Sequence, residues 1–270
     1  MSDFLARMAR ERRERVLLDD RLRSLRGLRD EAEARRGDVR PFAARLKRPA
    51  GERLRVIAEV KKASPSAGVL RATYDPVGTA AAYEAAGAAA ISVLTEPARF
   101  LGSMEHLASV RARVALPVLA KDFVVHERQI YEARAHGADA ILLIVALLDR
   151  SQLEDYASLA SGVGLDVMLE VFDERELDRA FDLPGVIGVN NRNLRTLGVD
   201  PGRAERLLAA VPAERVRVAE SGYRERSEID GLTRLGIDGV LIGETLLRAD
   251  SVEAAFASLF GPPTGETAPS

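Results

Sequence analysis

The chain has 270 residues, of which 47% are hydrophobic and 30% are charged, and its formal net charge at pH 7 is −2. A nearly neutral chain of this composition can bury a large core and has no overall attraction for nucleic acid or an anionic membrane. The absence of cysteine excludes disulfides, thiolate metal sites and cysteine nucleophiles. The histidines are scattered at positions 106, 126 and 136, so the sequence predicts no metal and no cofactor.

The first segment is dense in Arg, Glu, Leu and Ala from residue 4 to about 37. Leu5, Met8, Val16 and Leu17 recur at loose helical spacing, which predicts a helical extension. The interspersed acidic residues favour a solvated helix over a basic nucleic-acid arm. The chain start lacks the pattern of a secretory signal and no apolar stretch approaches about 18 residues, so we expect a cytoplasmic protein that binds no membrane.

After Arg55, short apolar runs alternate with amphipathic helical segments, which indicates repeated βα units. We count eight runs, which predicts a closed parallel barrel of the (β/α)₈, or TIM barrel, type. An open doubly wound sheet fits less well, because no Gly-x-Gly-x-x-Gly follows the first run and polar residues end most runs. The runs are Val56 to Val60, Ala89 to Leu94, Val118 to Lys121, Ala140 to Val145, Val167 to Val171, Val186 to Asn190, Val216 to Glu220 and Val240 to Gly243.

These patterns divide the chain into three parts. We expect a helical extension over residues 1–50, a catalytic barrel over 51–260, and a disordered tail rich in Pro, Gly and Thr over 261–270.

Polar side chains lie at the carboxyl ends of several predicted strands. Alternate residues of a barrel strand point inward, and those at the carboxyl end face the active-site mouth. Desolvating an unpaired ion costs several kcal/mol, so a ring of inward charges indicates paired groups that serve a function. Lysines and carboxylates at close quarters also suit acid–base chemistry. The inward residues predicted by this alternation are Glu59, Lys61, Lys121, Glu170, Asn190 and Glu220.

Glycine-containing turns follow the last two strands. Ser221 and Gly222 come after the seventh, and Ile242, Gly243 and Glu244 close the eighth. Glycine allows close backbone approach, helix N-termini favour anions, and barrels often hold phosphate at this place. Either motif alone is an ordinary turn signal, but together they predict a phosphorylated small-molecule ligand. We expect the Glu244 carboxylate to point away from that phosphate.

The sequence resembles the indole-3-glycerol phosphate synthase family over about residues 40 to 250. It departs slightly at Ala67, where the family often has lysine, and at His126, where an acidic residue is common. The matching blocks, in order, are Ile57-Ala58-Glu59-Val60-Lys61-Lys62-Ala63-Ser64-Pro65-Ser66, Ser92-Val93-Leu94-Thr95-Glu96, Phe100-Leu101-Gly102-Ser103, Leu119-Ala120-Lys121-Asp122-Phe123, Leu169-Glu170, Val189-Asn190-Asn191-Arg192-Asn193-Leu194 and Ala219-Glu220-Ser221-Gly222.

The resemblance implies a reaction in which 1-(2-carboxyphenylamino)-1-deoxyribulose 5-phosphate closes to an indole with loss of carbon dioxide and water. It implies Lys121 as the leading general acid, and Lys61 as an anchor or second proton donor. Glu170 is the candidate base for dehydration, and Glu59 orients the lysines. The family also has a helical extension that borders the active-site mouth.

The remaining implied roles concern binding. Asn190 and Glu220 would hydrogen-bond substrate oxygens, and Arg192 would contact an anion or close the mouth by pairing with a glutamate. The other substrate-binding candidates are Ser64, the apolar walls Phe100, Phe123 and Leu142, and the phosphate-binding Ser221, Gly222, Ile242, Gly243 and Glu244. If all are ionised, Lys61, Lys121 and Arg192 balance Glu59, Glu170 and Glu220, which leaves the phosphate to backbone dipoles.

Other functions stay open at this point. A Schiff-base aldolase acting on a phosphorylated sugar would also use a lysine inside a barrel. A non-catalytic barrel that binds a phosphate ligand is the alternative from a different class, although it would not need this many charges in one mouth. The phosphoribosylanthranilate isomerase reaction fits poorly, because that family uses a cysteine. We expect a monomer or a weak homo-oligomer.

Overall fold

The computed structural model describes residues 4–65, 68–69 and 74–261. Within them, eight parallel strands close into a barrel in which each strand pairs with the next along the chain and the last pairs with the first. The prediction of a (β/α)₈ barrel is confirmed. The strands are β1 (Arg55–Val60), β2 (Ala90–Leu94), β3 (Val118–Lys121), β4 (Ala140–Ile144), β5 (Asp166–Val171), β6 (Val186–Asn190), β7 (Arg217–Glu220) and β8 (Gly239–Ile242).

Helices cover the outside of the barrel and precede it. Asp75, Ser103 and Asp149 each accept a hydrogen bond at a helix start, the usual role of such residues at an N-cap. The helices in the described residues are α1 (Phe4–Leu22), α2 (Leu25–Ala34), α3 (Phe42–Leu46), α4 (Pro76–Ala85), α5 (Met104–Arg113), α6 (Glu127–Ala135), α7 (Arg150–Gly162), α8 (Glu174–Ala180), α9 (Arg203–Leu208), α10 (Arg226–Arg234), α11 (Glu244–Arg248) and α12 (Val252–Phe260).

The strand boundaries differ from the predicted runs by a residue or so. The fourth run continues past β4 into one turn of 3₁₀ helix, Val145–Leu147, and Gly243 is the N-cap of α11 instead of a strand residue. A short antiparallel pair, Ala63–Ser64 with Gly68–Val69, follows β1 and has no counterpart in the predicted pattern. Ser66 and Ala67, which belong to the segment that resembles the family, lie outside the described residues. Residues 262–270 of the expected tail lie outside them too.

The barrel has two apolar layers, as the alternation of strand residues predicts. Val56, Ala58 and Val60 of β1 pack outward against the helices, whereas Ile57 joins an interior cluster. The other strands contribute to that interior in the same phase. Its members from the strands are Ile57, Ala90, Leu119, Ala140, Leu142, Ile144, Met168, Val186, Val218 and Leu241.

The N-terminal helices reach both ends of the barrel. Phe4, Leu5 and Met8 of α1 join the interior cluster at the mouth, while Phe42 and Leu46 of α3 join it from the opposite end. Of the four apolar residues whose spacing predicted a helix here, Leu5, Met8 and Val16 are buried, whereas Leu17 is 64% exposed.

Aspartates at the start of three strands hold α3 and its flanking residues. Asp139 accepts the backbone N–H of Arg40 at 2.8 Å, Asp166 that of Ala43 at 2.9 Å, and Asp238 that of Arg48 at 3.1 Å. These bonds fasten residues 40–48 across the amino end of the barrel. The active-site mouth is expected at the opposite end, where the strands have their carboxyl ends. Among the described helices, none combines the length and hydropathy needed to span a membrane.

Candidate active site

A cavity lies at the carboxyl ends of the strands and joins a wider cleft beside β7 and β8. The strand register explains the convergence, because Leu94 pairs with Lys121, Ile144 with Glu170, and Asn190 with Glu220. Of the sequence-predicted residues, the cavity is lined by Glu59, Lys61, Ser64, Phe100, Lys121, Phe123, Leu142, Glu170, Asn190, Arg192, Ser221 and Glu244. The cleft adds Gly222, Ile242 and Gly243.

Lys121 lies at the centre of the charged ring. Its Nζ is 3.6 Å from a carboxylate oxygen of Glu170, 3.7 Å from one of Glu220 and 3.9 Å from one of Glu59. Burial alone would lower the pKa of Lys121, but the neighbouring carboxylates, Glu170 first and also Glu59, outweigh burial and raise that pKa above its ordinary value. Lys121 is therefore an ammonium group at neutral pH.

Glu59 links the two lysines. Its Oε1 accepts a hydrogen bond from Lys61 Nζ at 2.5 Å, and its Oε2 faces Lys121. Burial would raise the pKa of Glu59, but Lys61 and Lys121 together lower it below the usual value. Glu59 is therefore ionised, and its two carboxylate oxygens face the side chains of Lys61 and Lys121.

Glu220 occupies a deeper position than expected. It was predicted to hydrogen-bond substrate, but its side chain is 0% exposed and lies below Lys121, outside the residues that line the cavity and the cleft. Gly188 leaves the space for it, because a Cβ there would come within 2.5 Å of Glu220 Oε1. The inward direction of Glu220 follows from the strand alternation, but inward direction alone does not set depth along a strand.

The environment of Glu220 also changes the charge balance. Burial first, and then the neighbouring Glu170 carboxylate, raise the pKa of Glu220 well above its ordinary value. The balance of the six groups applied only if all of them are ionised, and Glu220 is the member whose pKa departs from that condition. A proton on Glu220 removes one negative charge from this set and leaves an excess of positive charge at the mouth.

An apolar wall closes the side of the cavity opposite the cleft. Phe100 and Phe123 pack with ring centroids 6.1 Å apart, and Phe4 from α1 meets Phe123 edge-on at 6.4 Å. Leu142 of β4 and Ser64 also line the cavity. A flat aromatic ring fits this wall, because edge-on and tilted aromatic contacts are favourable at such distances.

The turns after β7 and β8 form the cleft. Ser221 and Gly222 both have left-handed backbone conformations, with φ of 67° and 92°. Gly243 has no room for a side chain, because a Cβ would lie 2.7 Å from Glu59 Oε1. Ile242 was predicted to bind substrate, but its side chain packs outward with the helices, so only its backbone can take part.

Arg192 and Glu244 face each other across the mouth. The Arg192 guanidinium lies 3.9 Å from Glu244 Oε2, and Glu244 Oε1 accepts a hydrogen bond from Arg248 at 2.9 Å. Of the two expectations for Arg192, the structure thus shows the pairing with a glutamate. Asn190 accepts the backbone N–H of Arg192 at 2.9 Å, which fixes the start of this loop. Glu244 is therefore directed toward cationic partners at the cleft.

Several residues that line the cavity were missed by the sequence reasoning, and two of them bear on the charged ring and the aromatic wall. Phe4 lines the cavity, and Asp122, which was noted only as part of a matching block, lines it next to Lys121. The apolar spacing of Phe4, Leu5 and Met8 signals a buried helix face, but sequence alone does not say which surface it covers.

The arrangement can donate and accept protons beside an aromatic wall. The Lys121 ammonium faces the ionised Glu59, and a cleft with glycine turns joins the same cavity. In the described part of the chain, no group of three or more His, Asp or Glu side chains is placed to hold a metal ion.

The comparisons with known proteins agree with this geometry. A family model described as indole-3-glycerol phosphate synthase matches residues 5–259. The chain is 49% identical to indole-3-glycerol phosphate synthase 1 of Streptomyces coelicolor over 231 residues, which cover 85% of this chain and 86% of the relative. It is 46% identical to the indole-3-glycerol phosphate synthase of Leptothrix cholodnii over 263 residues, covering 96% and 100%.

A solved structure supports the fold. A chain of the tryptophan synthase complex from Pyrococcus furiosus superposes with a TM-score of 0.55 and 15% identity, covering 76% of this chain and 97% of that one. At this identity the likeness extends to the barrel architecture alone.

Proposed function

The chain belongs to the indole-3-glycerol phosphate synthase family, and we propose that its reaction is carried out by the ring of lysines and glutamates described above. The enzyme is a carboxy-lyase of tryptophan biosynthesis that converts 1-(2-carboxyphenylamino)-1-deoxyribulose 5-phosphate to indole-3-glycerol phosphate, carbon dioxide and water. The observation that carries the assignment of roles is the Lys121 ammonium, held among three carboxylates beside an aromatic wall.

Substrate binding follows from the shape of the cavity. The aromatic ring packs against Phe100, Phe123 and Leu142, and the phosphate occupies the cleft at Ser221, Gly222 and Gly243. In this proposal the left-handed turns at Ser221 and Gly222 present backbone amides to the substrate phosphate. The phosphate then needs no lysine of its own, and the lysines of the charged ring stay paired with its glutamates. When substrate binds, Arg192 leaves its ion pair with Glu244 and contacts an anionic group of the substrate. Glu244 keeps its ion pair with Arg248.

The first chemical step forms the carbon–carbon bond. The ring carbon that bears the carboxylate attacks the ketone carbon, and negative charge develops on the ketone oxygen. The Lys121 ammonium stabilises this charge and gives the oxygen a proton as the bond forms. A cationic donor aimed at such an oxygen contributes about 3 to 4 kcal/mol. The ring–carboxylate bond then breaks, carbon dioxide leaves, and its electron pair restores the aromatic ring.

Dehydration completes the reaction. Glu170 removes a proton from the methylene carbon next to the nitrogen, while the new hydroxyl leaves as water with a proton supplied by Lys61. Glu170 and Lys61 both line the cavity, and Glu59 holds Lys61 in place through the 2.5 Å hydrogen bond. Glu220 touches no substrate in this scheme. It positions Lys121, whose Nζ lies 3.7 Å from Glu220 Oε2.

Turnover of the carboxyphenylamino substrate, followed by indole fluorescence, tests these roles. Lys121→Ala should lower kcat by at least about 100-fold, the usual contribution of a positioned acid or base. The protein should still fold, because the freed carboxylates can take up protons. Lys62→Ala is the matched control, since Lys62 lies outside the lining of the cavity and the cleft. Near-normal activity of Lys121→Ala would remove Lys121 from the acid role.

The finer biological setting belongs to the same proposal. A biosynthetic enzyme with a small phosphorylated substrate and no excess of positive charge is expected in the cytoplasm, unbound to nucleic acid. We assign residues 1–50 to the helical extension and 51–260 to the catalytic barrel, and expect a monomer or weak homo-oligomer. Sedimentation at several protein concentrations measures the oligomeric state.

A further inference from the structure

Arg12 is a buried cation of α1. Its side chain pairs with Asp122, the residue that follows Lys121. Its side chain is 6% exposed, its Nε donates to Asp122 Oδ1 at 2.9 Å, and its Nη2 donates to Asp122 Oδ2 at 2.7 Å. The planar guanidinium thus meets both oxygens of one carboxylate, the geometry that a lysine cannot reproduce. The contact joins the N-terminal extension to the end of β3.

Asp122 joins the backbone after Lys121 to the end of the neighbouring strand β2. Its Oδ1 accepts the N–H of Phe123 at 2.8 Å, and its Oδ2 accepts the hydroxyl of Thr95 at 3.0 Å. The backbone N–H of Thr95 in turn donates to the carbonyl oxygen of Lys121 at 3.1 Å. A rotation of the Asp122 carboxylate would therefore shift the peptide from which Lys121 projects and the ring of Phe123.

Stability of the fold does not by itself explain the buried ion pair between Arg12 and Asp122. Replacing a buried ion pair by apolar residues of similar volume is often neutral or stabilising, so such a pair is weak evidence for a role in folding. Arg12 is also separated from substrate, because it is not among the described residues that line the cavity or the cleft. What the pair does fix is the direction of one carboxylate beside the acid.

We propose that Arg12 is a positioning residue: through Asp122 it holds Lys121 at the distance and angle needed for proton transfer. The proposal rests on the function of Lys121 proposed above. Phe4, on the same helix, packs against Phe123, so α1 contributes a wall of the cavity as well as the constraint on the acid. The N-terminal extension is thereby a working part of the active site.

The test compares Arg12→Gln and Arg12→Lys with Arg13→Gln, which alters an exposed arginine of the same helix. Arg12→Gln should lower kcat by about 10- to 100-fold, the cost of a displacement of about 1 Å at the reacting groups, with a much smaller change in KM. Arg12→Lys should be intermediate, and Arg13→Gln should match the unmodified protein. Asp122→Asn should lower kcat similarly, and combining it with Arg12→Gln should add little.

Thermal unfolding and circular dichroism, recorded in parallel, separate positioning from folding. A wild-type kcat in folded Arg12→Gln, or a change confined to KM or to the melting temperature, would overturn the proposal. If Arg12→Gln does not fold, Arg12→Lys decides in the same way through its kcat. Lys121→Ala is assayed alongside. Activity in that variant would refute the acid role itself, whereas an inactive Lys121→Ala with a fully active Arg12→Gln would refute only the inference about Arg12.

Discussion

Replacing Glu220 by glutamine should remove a pH dependence from the stability of the protein. Glu220 is fully buried beside Glu170, and its pKa in the folded protein is raised well above the ordinary value, with burial as the largest cause. In the unfolded chain the side chain returns to a pKa of about 4.3. Glutamine has the same shape and stays neutral in both states.

The sign follows from proton binding. Below the unfolded pKa, both states carry the proton on Glu220, and its contribution to stability is fully present. As the pH rises above that value, the unfolded chain loses the proton while the folded protein keeps it, so the free energy of unfolding falls. One group accounts for a fall of up to about 1.4 kcal/mol per pH unit, and the fall ends once the pH passes the folded pKa.

Urea unfolding between pH 5 and 8 measures this effect. Groups distant from residue 220 titrate alike in both proteins, so the difference between Glu220→Gln and the unmodified protein reports on residue 220 and the charged groups in contact with it. That difference should move in favour of the variant as the pH rises, with the slope given above. Glu214→Gln, which changes an exposed carboxylate, should show no such trend. A difference for Glu220→Gln that stays constant over the whole range would refute the claim that Glu220 is held neutral.

Three further changes test other parts of the structure. Gly243→Ala should lower kcat by about tenfold or more, measured by indole fluorescence, because the new Cβ would lie 2.7 Å from Glu59 Oε1 and displace this carboxylate from the lysines. Phe4→Ala should raise KM about tenfold, equivalent to about 1.4 kcal/mol, because it removes the ring that packs against Phe123 in the cavity wall. Asp139→Ala should lower the free energy of unfolding, measured in urea, by about 3 to 5 kcal/mol, because it strips the buried partner from Arg111 and from the Arg40 and Val118 amides.

Each of these changes has a matched control. Gly162→Ala places a Cβ where no atom lies within 4 Å, so kcat should not change. Phe181→Ala removes an exposed ring and should leave KM unaltered. Asp178→Ala alters an exposed helix residue and should leave stability nearly unchanged. Equal effects in a variant and its control would contradict the structural reason given for that variant.

The barrel and its inward-facing charges could be predicted because both depend on local alternation. Ile57 and Glu59 share a face of one strand whatever the rest of the chain does, and the same holds for Met168 and Glu170. Placing Glu59, Lys121 and Glu170 together required only that parallel strands end at the same rim. Local sequence therefore determined the chemistry of the mouth almost completely.

Depth and long-range partners could not be obtained in this way. The side chains of Glu220 and Glu170 both point into the barrel. Glu220 is fully buried because Gly188 has no side chain and leaves space for its carboxyl group. The contact between Arg12 and Asp122 spans 110 residues, and no local pattern distinguishes Arg12 from the exposed arginines of the same helix. These features depend on packing between elements, which alternation within one strand or helix does not encode.

The environment of Lys121 also decides between proton donation and covalent catalysis. A lysine that forms a Schiff base must attack a carbonyl as a neutral amine, so its pKa has to fall toward neutrality, through desolvation or a neighbouring cation. Here the carboxylates of Glu170 and Glu59 lie beside the amine and raise its pKa instead. Only a small fraction of Lys121 would be nucleophilic at neutral pH, whereas nearly all of it can donate a proton. Borohydride with a keto substrate should therefore leave residue 121 unmodified, and a trapped adduct there would show that substrate binding reverses this effect of the carboxylates.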